Sequence, residues 1–353
     1  MGSAFAWEVA KRTTERDREI AWLLYRQKIL TTDQLRLLFF SSRRRGQDRL
    51  LWLLRHRVID RFYPSGPFAL GKPQAHWLLD EVGAHLVAAQ MGIERRSLAW
   101  DRQRDFHAHA HLAHRRECNG FLCSVIAASL EVDEAWVSAW EPGWEAITPH
   151  WLRPACGIAR PDASFTLSTP YGLVAVALEW DRATEPMATL LQKIKRYDIT
   201  LREASAQRRN NVCFVVPGER RADRLLHEGR EAAKHVPAAR FWVTSTLRLE
   251  RHGVLAEVWR CLDHEERPYG MADFETLDGA ETTAREQALG RRWQVPMEER
   301  WAALSPLRAA SARDDEPAYA EPLKPAPEPL RSDGGSGLLE GTNEKASQRE
   351  EWR

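Results

Sequence analysis

The chain has 353 residues, of which 43% are hydrophobic and 29% are charged, a composition typical of soluble globular proteins of roughly two domains. The net charge is only +1, so any affinity for nucleic acid must come from a local excess of basic residues. Five cysteines without a CxxC pair argue against a disulfide framework or a zinc ribbon and favour the cytoplasm. No apolar run is long enough to span a bilayer, so no membrane association is expected.

Residues 1–95 predict helices followed by a β-hairpin. In order, the pattern predicts helices over 17–27, about 31–39 and about 42–57, strands over 59–63 and 75–79, and a helix over 80–90. This order is typical of a winged helix-turn-helix. Residues 1–64 also carry 14 Lys and Arg against 7 Asp and Glu. We therefore expect this segment to bind double-stranded DNA.

Arginines cluster on the third predicted helix, the recognition helix of such a fold. Its N-terminal residues would face base edges in the major groove. A guanidinium group donates two parallel hydrogen bonds to a phosphate or a guanine. The candidate DNA contacts are Arg43, Arg44, Arg45, Arg49, Arg55 and Arg57. A solvated outer helix face is the alternative explanation of the cluster.

A second region, over 96–275, alternates helices and strands. The pattern predicts a helix over about 105–130, strands over 163–167 and 173–178, a helix over 185–202, a strand over 212–216, a helix over 220–234 and a strand over 240–244. The whole chain is therefore expected to be a multidomain α/β protein. Residues 276–304 are expected to form a helical extension. Residues 305–353, which hold 6 of the 19 prolines, predict a disordered tail.

Two carboxylates fall at the ends of neighbouring predicted strands. Asp162 opens one strand and Glu179 closes the next, so antiparallel pairing can bring both to one edge of the sheet. Carboxylate oxygens suit Mg²⁺, and a bound Mg²⁺ lowers the pKa of water near a scissile phosphate. The arrangement resembles the core of PD-(D/E)XK nucleases, with Asp162 and Glu179 as metal ligands.

The sequence departs from that core at one position. The residue two places after Glu179, a lysine in those enzymes, is Asp181. Either Lys193 or Lys195 on the following helix takes over the lysine's role, or the site is inactive. Asp181 is a candidate third ligand. An ordinary ion pair between a strand-end Glu and a helix Lys is the structural alternative.

Four stretches together resemble the replication-relaxation family, which occurs with plasmids and other mobile elements. They are LTTDQL at 30–35 with RLL at 49–51, the H-x4-N pattern of His114 and Asn119, PDA at 161–163, and EWDRATE at 179–185 with Lys193 and Tyr197. Ala183 stands where the family has a glycine. The resemblance covers about residues 18–261 and implies a role in plasmid replication or DNA relaxation. We expect His114 to orient or pack near the carboxylates.

A histidine cluster suggests a rival enzyme class. His109 and His111 have the spacing of the metal-binding pair in HUH relaxases, and Tyr197 would be the nucleophile. Alanine replaces the bulky residue between those histidines, however, and the segment predicts a helix start rather than a strand. His107 and His111 could share a zinc ion, but no third ligand is evident. Exposed or helix-capping histidines explain the cluster more simply.

The sequence thus predicts a DNA-binding protein that acts in replication or relaxation of a mobile element, with Mg²⁺-dependent nicking if the carboxylate site is active. The alternative is a regulator without catalytic activity. Its degenerate nuclease fold would serve homodimerisation or dock replication or conjugation proteins.

Overall fold

A computed structural model describes residues 3–64, 74–98, 100, 112–129, 131–132, 135–142, 159–201, 210–237, 239–263 and 267–276. The chain divides into two units, 1–317 and 318–353, and every described residue belongs to the first. The tail over 305–353 and nearly all of the helical extension lie outside the described residues, as do His107, His109 and His111. Within the described segments, no helix has the length and apolarity that crossing a membrane requires.

The N-terminal part combines helices with a small antiparallel sheet. Side-chain caps set the helix starts, for example the capping box of Thr31 with Gln34 and the cap from Ser42. The elements are α1 (Ser3–Ala10), α2 (Glu15–Gln27), β1 (Leu30–Thr31), α3 (Thr32–Phe39), α4 (Arg43–Arg55), β2 (Ile59–Phe62), β3 (His76–Leu79) and α5 (Glu81–Gln90). The predicted helices and hairpin strands of this part are confirmed.

The small sheet has the strand order β1-β3-β2. Leu30 of β1 lies opposite Trp77 of β3, and this pairing makes a short strand between the first two predicted helices. Ile20, Leu35 and Leu53, one from each of α2, α3 and α4, are fully buried. The apolar faces of the three helices therefore meet in one core.

A larger sheet follows, flanked by helices. Its elements are α6 (Leu112–Ser129), β4 (Trp136–Pro142), β5 (Ala163–Thr169), β6 (Gly172–Trp180), α7 (Met187–Leu201), β7 (Asn210–Val216), α8 (Glu219–Ala233), β8 (Ala239–Ser245), α9 (Thr246–His252) and β9 (Arg260–Cys261). The strand order is β4-β5-β6-β7-β8-β9. Strands β4, β5 and β6 pair antiparallel, β6, β7 and β8 pair parallel, and β9 is antiparallel to β8. The expected mixed α/β class is confirmed.

Helices cover both faces of this sheet. On one face α7 and α8 bury Ile194 and Leu225 against Phe214 of β7. On the other face Phe121 of α6 contacts the rings of Phe165 and Trp180, with ring centroids 6.2 and 6.0 Å apart. The end of the sheet where β5 begins and β6 ends therefore lies between α6 and α7.

Helix α6 also contacts the N-terminal part. Asn119 is fully buried, and its Nδ2 donates hydrogen bonds to the carbonyls of Ile29 at 2.8 Å and Gln27 at 3.3 Å. Gln34 Nε2 donates to the Arg116 carbonyl at 2.8 Å. These bonds tie α2 and α3 to the helix that packs on the large sheet.

Candidate active site and nucleic-acid surface

The structure brings Asp162 and Glu179 together at the end of the large sheet. Ala163 pairs with Leu178 across β5 and β6, and the Asp162 amide donates to the Leu178 carbonyl at 2.8 Å, so Asp162 stands opposite Glu179. The Trp180 amide donates to Asp162 Oδ2 at 2.8 Å and fixes that carboxylate. Strand register alone thus produces the predicted carboxylate pair.

Glu179 is a buried acid with incomplete charge compensation. Its side chain accepts a hydrogen bond from the Tyr197 hydroxyl at 2.8 Å on Oε1. Lys193 Nζ lies 3.4 Å from Oε2 but without hydrogen-bond geometry, and that oxygen accepts no hydrogen bond from the described residues. Burial, and then the charge of Asp162, raises the pKa of Glu179 to about 8, against the opposing effects of Lys193 and Tyr197.

Of the two candidate lysines, Lys193 faces the carboxylates. Its Nζ also lies 3.2 Å from Glu185 Oε2. Burial lowers the pKa of Lys193, but the nearby carboxylates, Glu179 foremost, outweigh burial and raise that pKa above its usual value. Lys193 therefore carries its charge at neutral pH. Lys195, two residues later, is exposed to solvent.

Asp181 holds a turn and is not directed to a metal. Its carboxylate forms a two-pronged ion pair with Arg221 of α8 and accepts the Ala183 amide hydrogen bond at 2.9 Å. These partners occupy both oxygens of Asp181, so we remove it from the candidate ligands. Ala183 itself has a φ of 56°, in the left-handed region that favours glycine. This turn conformation suits the glycine that the family resemblance leads one to expect at this position.

His114 contacts the carboxylate pair from α6. Its Nε2 lies 3.3 Å from Asp162 Oδ2 and 3.0 Å from the Trp180 carbonyl oxygen. Burial lowers the pKa of His114, but the hydrogen bond and charge of Asp162 outweigh burial and raise it. Asn119, the other residue of the H-x4-N pattern, instead joins α6 to the N-terminal part.

The sequence analysis did not single out Cys118, which lies one helical turn after His114. Cys118 Sγ is 3.8 Å from His114 Nδ1. The signal was present as H-x3-C on a predicted helix, because residues four apart share a helix face. Burial raises the pKa of the Cys118 thiol well above its usual value.

Tyr197 is placed as a supporting residue and not as a nucleophile. Its side chain is 2% exposed, and its hydroxyl donates to Glu179. Burial raises the pKa of Tyr197 well above its usual value, which opposes formation of the phenolate. This geometry disfavours the relaxase chemistry considered from the sequence.

The first turn of α4 presents arginines to solvent. Arg43 and Arg44 are exposed and Arg45 is half-buried, while Arg55 is exposed at the other end of the helix. Four of the six predicted DNA-contacting arginines therefore have side chains that solvent reaches.

Arg49 and Arg57 have structural partners. Arg49 is buried and forms a two-pronged ion pair with Asp17 of α2, and its guanidinium also lies 4.4 Å from the Trp52 ring. Arg57 lies 3.3 Å from a carboxylate oxygen of Asp80. Arg49 is therefore no longer a candidate DNA contact, because its guanidinium is buried and already paired with Asp17.

The matched family covers both parts of this structure. Residues 22–216, more than half of the chain, match the model of the replication-relaxation family. The chain belongs to the replication-relaxation family. Comparisons with curated proteins and with solved structures found no match. The replication-relaxation match includes α4, α6 and the whole carboxylate cluster, so the family pattern contains both candidate sites.

Proposed function

We propose that this protein acts in the replication or relaxation of a plasmid or other mobile element, by binding double-stranded DNA through α4 and cutting one strand with the cluster around Asp162 and Glu179. The observation that carries the proposal is the pair of opposed carboxylates, a buried Glu179 and a half-buried Asp162, with Lys193 beside it. The family membership supports the biological setting.

The order of elements around the pair supports a nuclease-like core. The sequence α6-β4-β5-β6-α7-β7 places one helix before three antiparallel strands and a second helix before a parallel strand. This order resembles the PD-(D/E)XK core, with Asp162 at the start of the second strand and Glu179 at the end of the third. Lys193 on α7 would then serve in place of the lysine that Asp181 replaces.

The charge balance of the cluster fits a divalent cation such as Mg²⁺. A buried carboxylate oxygen without a hydrogen bond is costly, and Glu179 Oε2 is such an atom among the described residues. Two carboxylates face one lysine there, and a cation would supply the missing positive charge. When bound, the ion would lower the pKa of a water molecule next to the scissile phosphate.

Each neighbouring residue has a role in this proposal. Asp162 and Glu179 would hold the ion, and the Trp180 amide would keep Asp162 in place. Lys193 would orient water or offset charge on the phosphate, since its ammonium stays protonated beside Glu179. Tyr197 would fix the rotamer of Glu179 through its hydrogen bond.

The N-terminal part supports DNA binding. Helices α2, α3 and α4 followed by the hairpin β2-β3, with β1 completing the sheet, resemble a winged helix-turn-helix. The exposed Arg43 and Arg44 would then meet the major groove at the start of α4. Salt-dependent affinity is expected, because phosphate contacts release counterions.

The cleavage proposal is tested by incubating the protein with supercoiled plasmid and Mg²⁺ or Mn²⁺. We expect metal-dependent nicking that Asp162→Ala and Glu179→Ala each abolish. Asp223→Ala, which removes an exposed carboxylate on α8, is the matched control and should nick normally. Absence of metal-dependent nicking, or nicking that survives both site substitutions, contradicts the proposal. A 5′-phosphotyrosyl adduct would instead establish relaxase chemistry.

The binding proposal is tested with the double variant Arg43→Ala and Arg44→Ala. If both arginines contact phosphates, the slope of log affinity against log salt should fall in magnitude by about two. Arg224→Ala, on the exposed side of α8, is the matched control and should bind as the parent does. Unchanged affinity and slope in the double variant would place the DNA elsewhere.

A regulator without catalytic activity is the second candidate, and Asp181 favours it. Asp181 stands at the position that carries lysine in the nuclease core, and its carboxylate is held in an ion pair with Arg221. DNA binding that is intact in a protein without metal-dependent nicking would establish this second function.

A further inference from the structure

An imidazole and a thiol, which are softer metal ligands than carboxylates, lie beside the carboxylate pair. His114 and Cys118 are one helical turn apart on α6, and both reach toward Asp162. Cys118 Sγ is 3.8 Å from His114 Nδ1 and 3.9 Å from Nε2, and His114 Nε2 is 3.3 Å from Asp162 Oδ2. One ligand atom from each of the three residues lies within 4.8 Å of the other two.

We infer that His114, Cys118 and Asp162 bind a transition-metal ion of the zinc and cobalt class, and that this ion serves the proposed cleavage site. The role in cleavage rests on the proposed function, whereas the binding of the ion does not.

The separations fit tetrahedral coordination. With bonds of about 2.0 Å to nitrogen or oxygen and about 2.3 Å to sulfur, a nitrogen and a sulfur ligand lie about 3.5 Å apart. A nitrogen and an oxygen ligand lie about 3.3 Å apart in the same geometry. In the protein, His114 Nε2 lies 3.9 Å from Cys118 Sγ and 3.3 Å from Asp162 Oδ2, and the sulfur lies within 4.8 Å of the Asp162 ligand atom, so rotations of the side chains would bring the three atoms to coordination distances. On binding, His114 Nε2 exchanges its contact with the Trp180 carbonyl for the ion.

The ligand types select the metal. Thiolate and imidazole groups favour Zn²⁺ and Co²⁺, whereas Mg²⁺ favours oxygen ligands only. Three protein ligands leave a fourth position open, as in catalytic zinc sites. The side chains of His114 and Asp162 are 25% and 20% exposed, so an ion can reach them from solvent, and buried Cys118 closes the inner side.

One of the three groups, Asp162, is a carboxylate, and its charge would attract a cation at this place. The Trp180 amide bonded to Asp162 supplies the outer hydrogen bond that metal-binding carboxylates usually have.

The test is a Co²⁺ titration of the full chain after removal of metals with a chelator. We expect one equivalent to give visible tetrahedral cobalt bands together with a sulfur-to-cobalt charge-transfer band in the near ultraviolet. Zn²⁺ should displace the Co²⁺, and excess Mg²⁺ should not. The histidines at 107, 109 and 111 cannot produce the sulfur band, so the band reports a cysteine ligand.

Variants assign the cysteine. Cys118→Ala should remove the sulfur band and weaken Co²⁺ binding by about a hundredfold, and His114→Gln should weaken it similarly. Cys123→Ala is the matched control, because Cys123 is equally buried on the same helix. Circular dichroism shows whether each variant is folded. The inference is overturned if the parent chain shows no sulfur band, if the band survives Cys118→Ala, or if Mg²⁺ displaces the cobalt.

The outcomes separate this inference from the proposed function. A sulfur band without any plasmid nicking supports the metal site and contradicts the cleavage proposal. Metal-dependent nicking without a sulfur band supports cleavage and overturns the site inferred here.

Discussion

The Asp17–Arg49 ion pair leads to a prediction that separates folding from DNA binding. The Asp17 side chain is fully buried and that of Arg49 is 11% exposed. Asp17 also accepts the Thr14 amide hydrogen bond at 2.7 Å as part of the cap of α2. Replacing Arg49 by methionine keeps most of the side-chain volume but leaves the Asp17 carboxylate buried without its cation.

The expected cost follows from that burial. Removing one partner of a buried ion pair destabilises a protein by about 3–5 kcal/mol, since the remaining charge stays in a poorly solvating environment. Loss of the Arg49 contact with the Trp52 ring adds about 0.5–2 kcal/mol. In an Asp17→Asn background, the same Arg49→Met change should cost at least about 1 kcal/mol less, because the asparagine keeps the cap but has no charge.

The assay is urea denaturation followed by circular dichroism on the four chains of this double-mutant cycle. Arg44→Ala is the matched control on the same helix, because its exposed side chain should change stability by no more than about 0.5 kcal/mol. The reasoning is refuted if Arg49→Met lowers the free energy of unfolding by less than about 1 kcal/mol. It is also refuted if the variant, under conditions in which it is fully folded, binds DNA more weakly than the parent.

Three further substitutions should have measurable effects on the free energy of unfolding. Ala183→Gly should stabilise the protein by up to about 1 kcal/mol, because the left-handed strain that glycine relieves is larger than the entropic cost of glycine. With a chelator present, the parent chain should lose a few kcal/mol of stability as pH rises from about 4.5 to about 8, and the Glu179→Gln variant should not. Gly83→Ala should unfold or strongly destabilise the chain, since its Cβ would lie 2.1 Å from the Val58 carbonyl oxygen. Gly120→Ala is the control for a helical glycine.

The folded pKa of Glu179 is raised, so the protonated acid contributes stability below its unfolded pKa, and that contribution is lost as the folded form ionises. A parent and a Gln variant with parallel pH profiles would contradict the raised pKa. For the glycines, Gly120 has only the flexible end of Gln34 nearby, at 3.2 Å, and should tolerate alanine. Equal effects at Gly83 and Gly120 would contradict the packing of α5. A loss of stability in Ala183→Gly would contradict the turn geometry.

Much of the fold could be predicted because its signals are local. The cap of α3 by Thr31 and the hydrophobic period of α4 involve residues within one or two turns of each other. The strand β1 could not be predicted in the same way, because two residues become a strand only through pairing with β3, more than 40 positions later. The edge strands β4 and β9 were missed for a related reason, since short or irregular strands depend on their neighbours for definition.

The candidate site shows the same division. Asp162, Glu179 and Lys193 were predicted as a group because strand ends and a following helix give their order. The roles of Arg49 and Asp181 were not, because their partners Asp17 and Arg221 lie 32 and 40 positions away on other helices. A charged side chain looks the same in a sequence whether it faces DNA or a buried counter-ion.

The hydrogen bonds of α6 have a consequence for anyone who dissects this protein. A fragment that ends near residue 95 would lose Asn119, and the carbonyls of Gln27 and Ile29 would lose the donor that now satisfies them. The shortened fragment would also expose the part of α3 that α6 now contacts. A fragment of the N-terminal part should therefore include the chain through Ser129, so that Asn119 still donates to those two carbonyls.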